Sequence, residues 1–362
     1  MVAGPRYEGP LLRAARDVAM KRINLALQGG GAHGAFTWGV LETLLADPGI
    51  EIAAISGTSA GTLNAAALKA GMISGGRQGA IDNLAWLWHE VGAITDDRAM
   101  DWLTALAPAS AYIAKALQYS PVFTAMDITA EFLSPYALGP FMQNPLRRIV
   151  EKFAFDAVCN SDGPELHICA TNVRSGKIRV FSGAQISTEA IMASACLPTF
   201  FQAVEMTDPV TGQTEAYWDG GYTGNPALFP LFAKHLPDDI LIVNINPLVR
   251  AELPKDSQSI QNRINEISFN ASLLADLRSI HFVKRLIAEN AIPKGNKKDV
   301  LVHMIADDML MNELSVATKM LPVPVILARL RAAGQAAAGV FLGQHRDDLN
   351  VKGTVDLDAL LN

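Results

Sequence analysis

Ile52-Ala53-Ala54-Ile55-Ser56-Gly57-Thr58-Ser59-Ala60-Gly61-Thr62-Leu63-Asn64-Ala65-Ala66-Ala67 is the stretch that decides the fold. A short apolar run enters Gly-x-Ser-x-Gly and passes at once into an alanine-rich helical pattern. Strand, tight turn and helix in that order expose a serine hydroxyl at the end of a sheet. Ser59 then caps a helix whose unpaired N–H groups and dipole stabilise a developing alkoxide. Gly57 and Gly61 leave room for the turn and for a substrate. The competing reading is a Gly/Ser turn whose glycines serve only close packing.

Upstream, Ile23-Asn24-Leu25-Ala26-Leu27 reads as another buried strand. Gly29-Gly30-Gly31-Ala32-His33-Gly34 follows it, then a helix from Ala35 to Ala46 that Asp47-Pro48-Gly49 stops. Ile50 to Ile55 is the next strand, and Ser59 to Ala70 the next helix, closed by Gly71. Strand–helix–strand–helix predicts a parallel sheet with crossover helices, an α/β fold. Gly29, Gly31 and Gly34 also fit Gly-x-Gly-x-x-Gly, the dinucleotide fingerprint. That fingerprint needs an acid at the end of the second strand. Ser56-Gly57-Thr58-Ser59 stands there instead. The better reading is an anion cradle of backbone N–H groups. Loops after adjacent parallel strands lie side by side, so Gly30 and Gly31 are expected near Ser59, as an oxyanion hole requires.

A nucleophilic serine needs a base. His33, His89, His167, His235, His281, His303 and His345 stand in no local catalytic motif. Asp219 is better placed, after Tyr217-Trp218 and before Gly220-Gly221, which admit a close backbone. Taken alone it reads as an Asp-Gly turn.

Half of the 362 residues are hydrophobic and 18% are charged, enough apolar surface for a large core. A formal net charge of −6 argues against nucleic acid as a partner. Cys159, Cys169 and Cys196 show no C-x-x-C spacing, so neither a zinc site nor a disulfide framework is expected. No calcium loop is seen, and no metal or cofactor is expected. No secretory signal or membrane-spanning run is read, which suggests a cytoplasmic protein, peripheral at most to a membrane.

Residues 72–155 read as mainly helical, and Trp102 to Pro140 is a candidate lid or acyl-chain channel. Strands resume at Leu166 to Thr171, Ile178 to Phe181 and Asp239 to Ile245, and Ser187 is placed to cap a helix to Cys196. Ser257 to Asn290 is a long helix bearing Arg263, Glu266, Asp276, Arg278, His281, Lys284 and Arg285. A solvated charged face is its simplest reading, a partner surface the sharper one. Pro324 to Leu342 is read as a core helix, with an interfacial helix as the alternative.

Taken together these motifs resemble the patatin-like phospholipases, serine acyl hydrolases with a Ser-Asp dyad. The matching pieces are Gly29-Gly30-Gly31-Ala32-His33-Gly34, Gly57-Thr58-Ser59-Ala60-Gly61, and Asp219-Gly220-Gly221 followed by Asn225-Pro226. Ala193-Ser194-Ala195-Cys196-Leu197-Pro198 is similar to a further family segment, with Cys196 in place of a second alanine. His33 stands where many members carry Arg or Lys; packing or loop anchoring is its expected role, with substrate contact or pH sensing as alternatives. The resemblance covers about Ile23 to Pro247. It implies a three-layer α/β/α fold with a mainly parallel central sheet. It implies a catalytic domain at 22–247; outside it, 1–21 reads as an N-terminal arm and 248–362, read on its own, as a mainly helical extension packed on the same domain. Ser59 is the implied nucleophile and Asp219 the base. Gly29, Gly30, Gly31 and Ala32 are the implied oxyanion hole, and Gly34, Gly57, Gly61, Gly220 and Gly221 the motif glycines. The implied substrate is a lipid acyl ester, met at a membrane or lipid-aggregate surface. The alternatives are acyl transfer on the same dyad, or lipid binding without catalysis.

Overall fold

The computed structural model describes residues 20–93, 134–137, 144–255, 257–293, 295–314 and 316–362, with isolated positions at 113 and 116. The arm expected at 1–21 and the channel expected between Trp102 and Pro140 lie almost wholly outside the described residues.

The apolar runs become strands of one mixed sheet: β1 (Lys21–Leu27), β2 (Ile50–Thr58), β3 (Glu165–Asn172), β4 (Ile178–Ser182), β5 (Val204–Thr207), β6 (Thr214–Asp219), β7 (Asp239–Asn244) and β8 (Leu301–Ala306). Their spatial order is β5-β6-β3-β2-β1-β7-β8, with β4 also paired to β3. Strands β3, β2, β1, β7 and β8 run parallel, and β4, β5 and β6 add antiparallel pairs. Side chains alternate between the two faces of a strand, and the core divides accordingly. Leu25, Leu27, Leu241, Val243 and Ile305 join one apolar cluster. Ala26, Ala54, Ile240, Ile242 and Val302 join the other.

Helices cover both faces, which gives three layers. On the first lie α1 (Gly34–Ala46), α2 (Ala60–Gly92), α3 (Arg147–Val150), α4 (Phe155–Val158) and α5 (Thr188–Ser194). On the second, α6 (Ser257–Ala288) buries Leu273, Leu277 and Ile280. Short helices α7 (Asp308–Glu313) and α8 (Val316–Met320) lead to α9 (Pro324–His345), and α10 (Leu357–Leu361) closes the chain. Gly71 does not end the second helix, as the sequence suggested; α2 runs to Gly92 and breaks its helical geometry at Gly75 and Gly76. The Ser187 cap forms, its hydroxyl accepting from Ala190 N–H.

Helix α9 is long and apolar enough to cross a membrane by length and composition. Here it packs on α1 as a core helix, with Ile326, Leu327 and Leu330 fully buried. Arg331 forks onto Glu42 at 2.8 and 2.9 Å while its guanidinium covers the Trp38 ring at 4.2 Å. A bidentate, half-buried pair of this kind fixes orientation as well as adding energy.

Candidate active site

Strand register brings the site together. Thr58, the last residue of β2, lies opposite Cys169 on β3. Asp219, the last residue of β6, lies opposite Ala170, the next residue of β3. Ser59 follows Thr58 immediately and caps α2 with φ 54° and ψ −120°. A non-glycine residue pays about 1–3 kcal/mol to hold such a conformation. The turn is held in place by Ser59 N–H donating to Ser194 Oγ at 2.9 Å and by Thr58 Oγ1 donating to Gly224 O at 2.6 Å. Ser59 is 8% exposed, enclosed but reachable.

Asp219 is 1% exposed. Its Oδ1 accepts Gly221 N–H at 2.7 Å, and its own N–H donates to Cys196 O at 2.7 Å. Oδ2 is buried and, among the described residues, has no hydrogen-bond partner. Burial pushes the carboxyl up to about 7, against smaller downward pulls from Gly221 N–H and the Ser59 hydroxyl. The Ser59 hydroxyl therefore lies within reach of the Asp219 carboxyl. A carboxyl balanced near neutrality is a far better proton acceptor than an exposed one.

The glycine loop closes the other side. A side chain on Gly29 would sit 2.7 Å from Ser59 Cβ, so only glycine lets the loop reach the serine. Gly31 has φ +58°, and a Cβ there would run into the carbonyl of Lys319. Gly30, Gly31 and Ala32 point backbone N–H groups that bind no acceptor among the described residues. Gly29 departs from expectation. Its N–H already donates to Asn225 Oδ1 at 2.7 Å, which removes it from the donor set. Asn225 is fully buried, and its Nδ2 has no partner among the described residues.

His33 is buried behind this loop, with Nε2 at 2.8 Å from Thr318 Oγ1. Burial, then Lys319 and Arg250, hold its pKa well below 6.5. Burial thus favours its neutral form, and the Thr318 contact anchors it behind the loop. No histidine is hydrogen-bonded to Ser59 or Asp219 among the described residues. His303 does pair with a buried carboxylate, Asp239, at 2.9 Å. Asp239 begins β7, at the opposite end of the parallel strands from Ser59, which follows the end of β2.

Two supports of the site escaped the sequence reading. Ser194 holds the Ser59 turn and also touches Thr62 Oγ1 at 2.9 Å. Cys196 receives the Asp219 amide, while burial and the nearby carboxylate push its thiol up to about 12. Both lie in Ala193 to Pro198, the segment that matched on resemblance alone, with no local signal of its role. Arg278 and Arg285 of α6 are exposed, as a solvated face requires, but two of its acids are not part of such a face. Glu266 is buried with Arg250, Arg263 and Lys319 around it, and Asp276 accepts Leu228 N–H. The exposed side of α6 carries Ile260, Ile264 and Ile267.

A family model described as patatin-like phospholipase matches residues 25–232. Among solved structures, the chain is similar to VipD from Legionella pneumophila at 15% identity and a TM-score of 0.40, covering 90% of this chain and 67% of that one. No curated protein matches it significantly.

Proposed function

Since the chain belongs to the patatin-like phospholipase family, we propose that it hydrolyses fatty-acyl esters of lipids through an acyl-enzyme, with Ser59 as nucleophile and Asp219 as base. One observation carries this reading: a buried carboxyl at about 7 adjoins a serine on a strained helix-capping turn. Asp219 takes the Ser59 proton as Oγ attacks the acyl carbonyl carbon. The carbonyl π electrons move to oxygen, and the N–H groups of Gly30, Gly31 and Ala32 hold the oxyanion. Collapse breaks the ester C–O bond, and the alcohol leaves with the proton from Asp219. Water then gives its proton to Asp219 and attacks the acyl-serine, releasing fatty acid and restoring Ser59.

The substrate is met at a lipid surface. Ile260, Ile264 and Ile267 recur at helical spacing on α6 with 42%, 50% and 55% exposure, and Leu253 just before is 80% exposed. The inner side of the same helix carries Phe269, edge-on to Tyr222 beside the Asp219 turn. An exposed apolar stripe on the helix that packs against the Asp219 turn favours binding to lipid aggregates. The test is fatty-acid release from phospholipid vesicles. Wild type is expected to release fatty acid and Ser59→Ala to release none; equal release by both defeats the proposal. Added alcohol that intercepts most of the acyl group would favour transfer over hydrolysis. Ile264→Glu with Ile267→Glu is expected to cut vesicle binding in a sedimentation assay about tenfold while hydrolysis of a soluble short-chain ester is unchanged. Undiminished binding would show that the stripe does not hold the protein to lipid.

A further inference from the structure

An oxyanion hole works only if its N–H groups are aimed before the charge forms. A trans peptide is a rigid plane with C=O and N–H pointing opposite ways. The direction of Gly30 N–H is therefore set by whatever holds Gly29 C=O. That group is Asn246, whose Nδ2 donates to Gly29 O at 2.7 Å. Its second amide hydrogen goes to Gln28 Oε1 at 3.1 Å. Gln28 is itself locked, since Oε1 also accepts the N–H of Ile245 and of Asn246, and Nε2 donates to Asn270.

The Asn246 amide is kept this way round from its far end. Its Oδ1 faces Lys319 Nζ at 3.4 Å, and an ammonium offers donors only. Reversed, the amide would press its NH2 against Lys319 and its oxygen against Gly29 O. Lys319 is steadied by Glu266 at 3.5 Å, a fully buried carboxylate that Arg250 also clasps at 2.6 and 2.7 Å. Lys319 also reaches the loop directly, its backbone carbonyl filling the space beside Gly31.

We propose that Asn246, oriented by Lys319, is a positioning residue that aims Gly30 N–H at the oxyanion. Both residues lie beyond position 232, past the matched family segment. The C-terminal region thus helps to shape the catalytic loop. The inference rests on the hydrolase reading above.

The test compares Asn246→Asp, Lys319→Met and Lys319→Arg with wild type on a soluble ester. Asn246→Asp removes the donor to Gly29 O at nearly constant shape. Its kcat is expected to fall about 100-fold, as when one oxyanion donor is lost, with KM within about twofold. A trifluoromethyl ketone, which forms an oxyanion on Ser59, should lose affinity by the same factor, while a fatty alcohol of equal length binds as before. Lys319→Met should shift kcat and ketone affinity the same way, about tenfold, and Lys319→Arg should restore both. If Asn246→Asp fails to fold, the two Lys319 variants carry the comparison. An unchanged kcat in the folded variants overturns the proposal. So does equal weakening of ketone and alcohol, which would mark general disruption. Absence of Ser59-dependent turnover in wild type instead overturns the hydrolase reading, and this inference with it.

Discussion

Asp219→Asn is expected to cut turnover about 1,000-fold, within the range for loss of a general base, and to leave the protein more stable at pH 8. Both effects have one cause. Burial raises the carboxyl from 3.8 to about 7, so its ionised form is disfavoured in the folded protein. Between those values the native state holds a proton that the unfolded chain has released. Stability therefore falls as pH rises from about 4 to 7, and the penalty is complete at pH 8. At about 1.4 kcal/mol per pH unit the penalty is about 4 kcal/mol. Asparagine keeps an oxygen for Gly221 N–H and carries no charge, so it escapes the cost. Urea denaturation should show the variant ahead by a large part of this at pH 8 and level with wild type near pH 4. The wild-type kcat/KM should rise about tenfold from pH 6 to pH 8 as Asp219 ionises. A variant no more stable at pH 8 than at pH 4, relative to wild type, would mean that Asp219 does not hold a buried charge.

Ser59→Gly is expected to abolish turnover, by about 10⁴-fold or more, and again to stabilise the fold. Ser59 holds φ 54° and ψ −120°, where strain costs a non-glycine residue about 1–3 kcal/mol. Glycine releases that strain but loses about 0.5–1 kcal/mol through its freer unfolded chain, so a net gain of about 1 kcal/mol is expected. Ser59→Ala removes the hydroxyl and keeps the strain, so it should lose activity equally and gain nothing. Chemical denaturation of the pair separates strain from chemistry. Equal stability of the two variants would show that the turn stores no strain.

These two sites were legible because their signals are local. The run into Gly57-Thr58-Ser59-Ala60-Gly61 states strand, turn and helix within a few residues, and Asp219-Gly220-Gly221 ends a strand in the same compact way. The alternation of β1 and β7 between two apolar clusters follows from residues that are themselves apolar on both faces. What stayed hidden depends on contacts across the fold. Ser194 meets Ser59 across 135 positions, Asn225 meets Gly29 across 196, and Asn246 meets Gly29 across 217. A polar residue in a loop has no periodicity to announce its partner. The same blindness assigned Gly29 an open amide and gave Glu266 a solvated face. Only the folded neighbourhood reveals that Asn225 occupies the first and three cations surround the second. The break at Gly75 and Gly76 shows the converse limit: Gly71 read as a stop, yet helical geometry continues through it.

The proposal stands or falls on Ser59 as nucleophile and Asp219 as the group that makes it reactive. Fluorophosphonate labelling followed by peptide mass mapping tests both at once. One adduct is expected, on Ser59 of the wild type, forming about tenfold faster at pH 8 than at pH 6 and nearly absent in Asp219→Asn. An adduct on another residue, or undiminished labelling of Ser59→Ala, would contradict it.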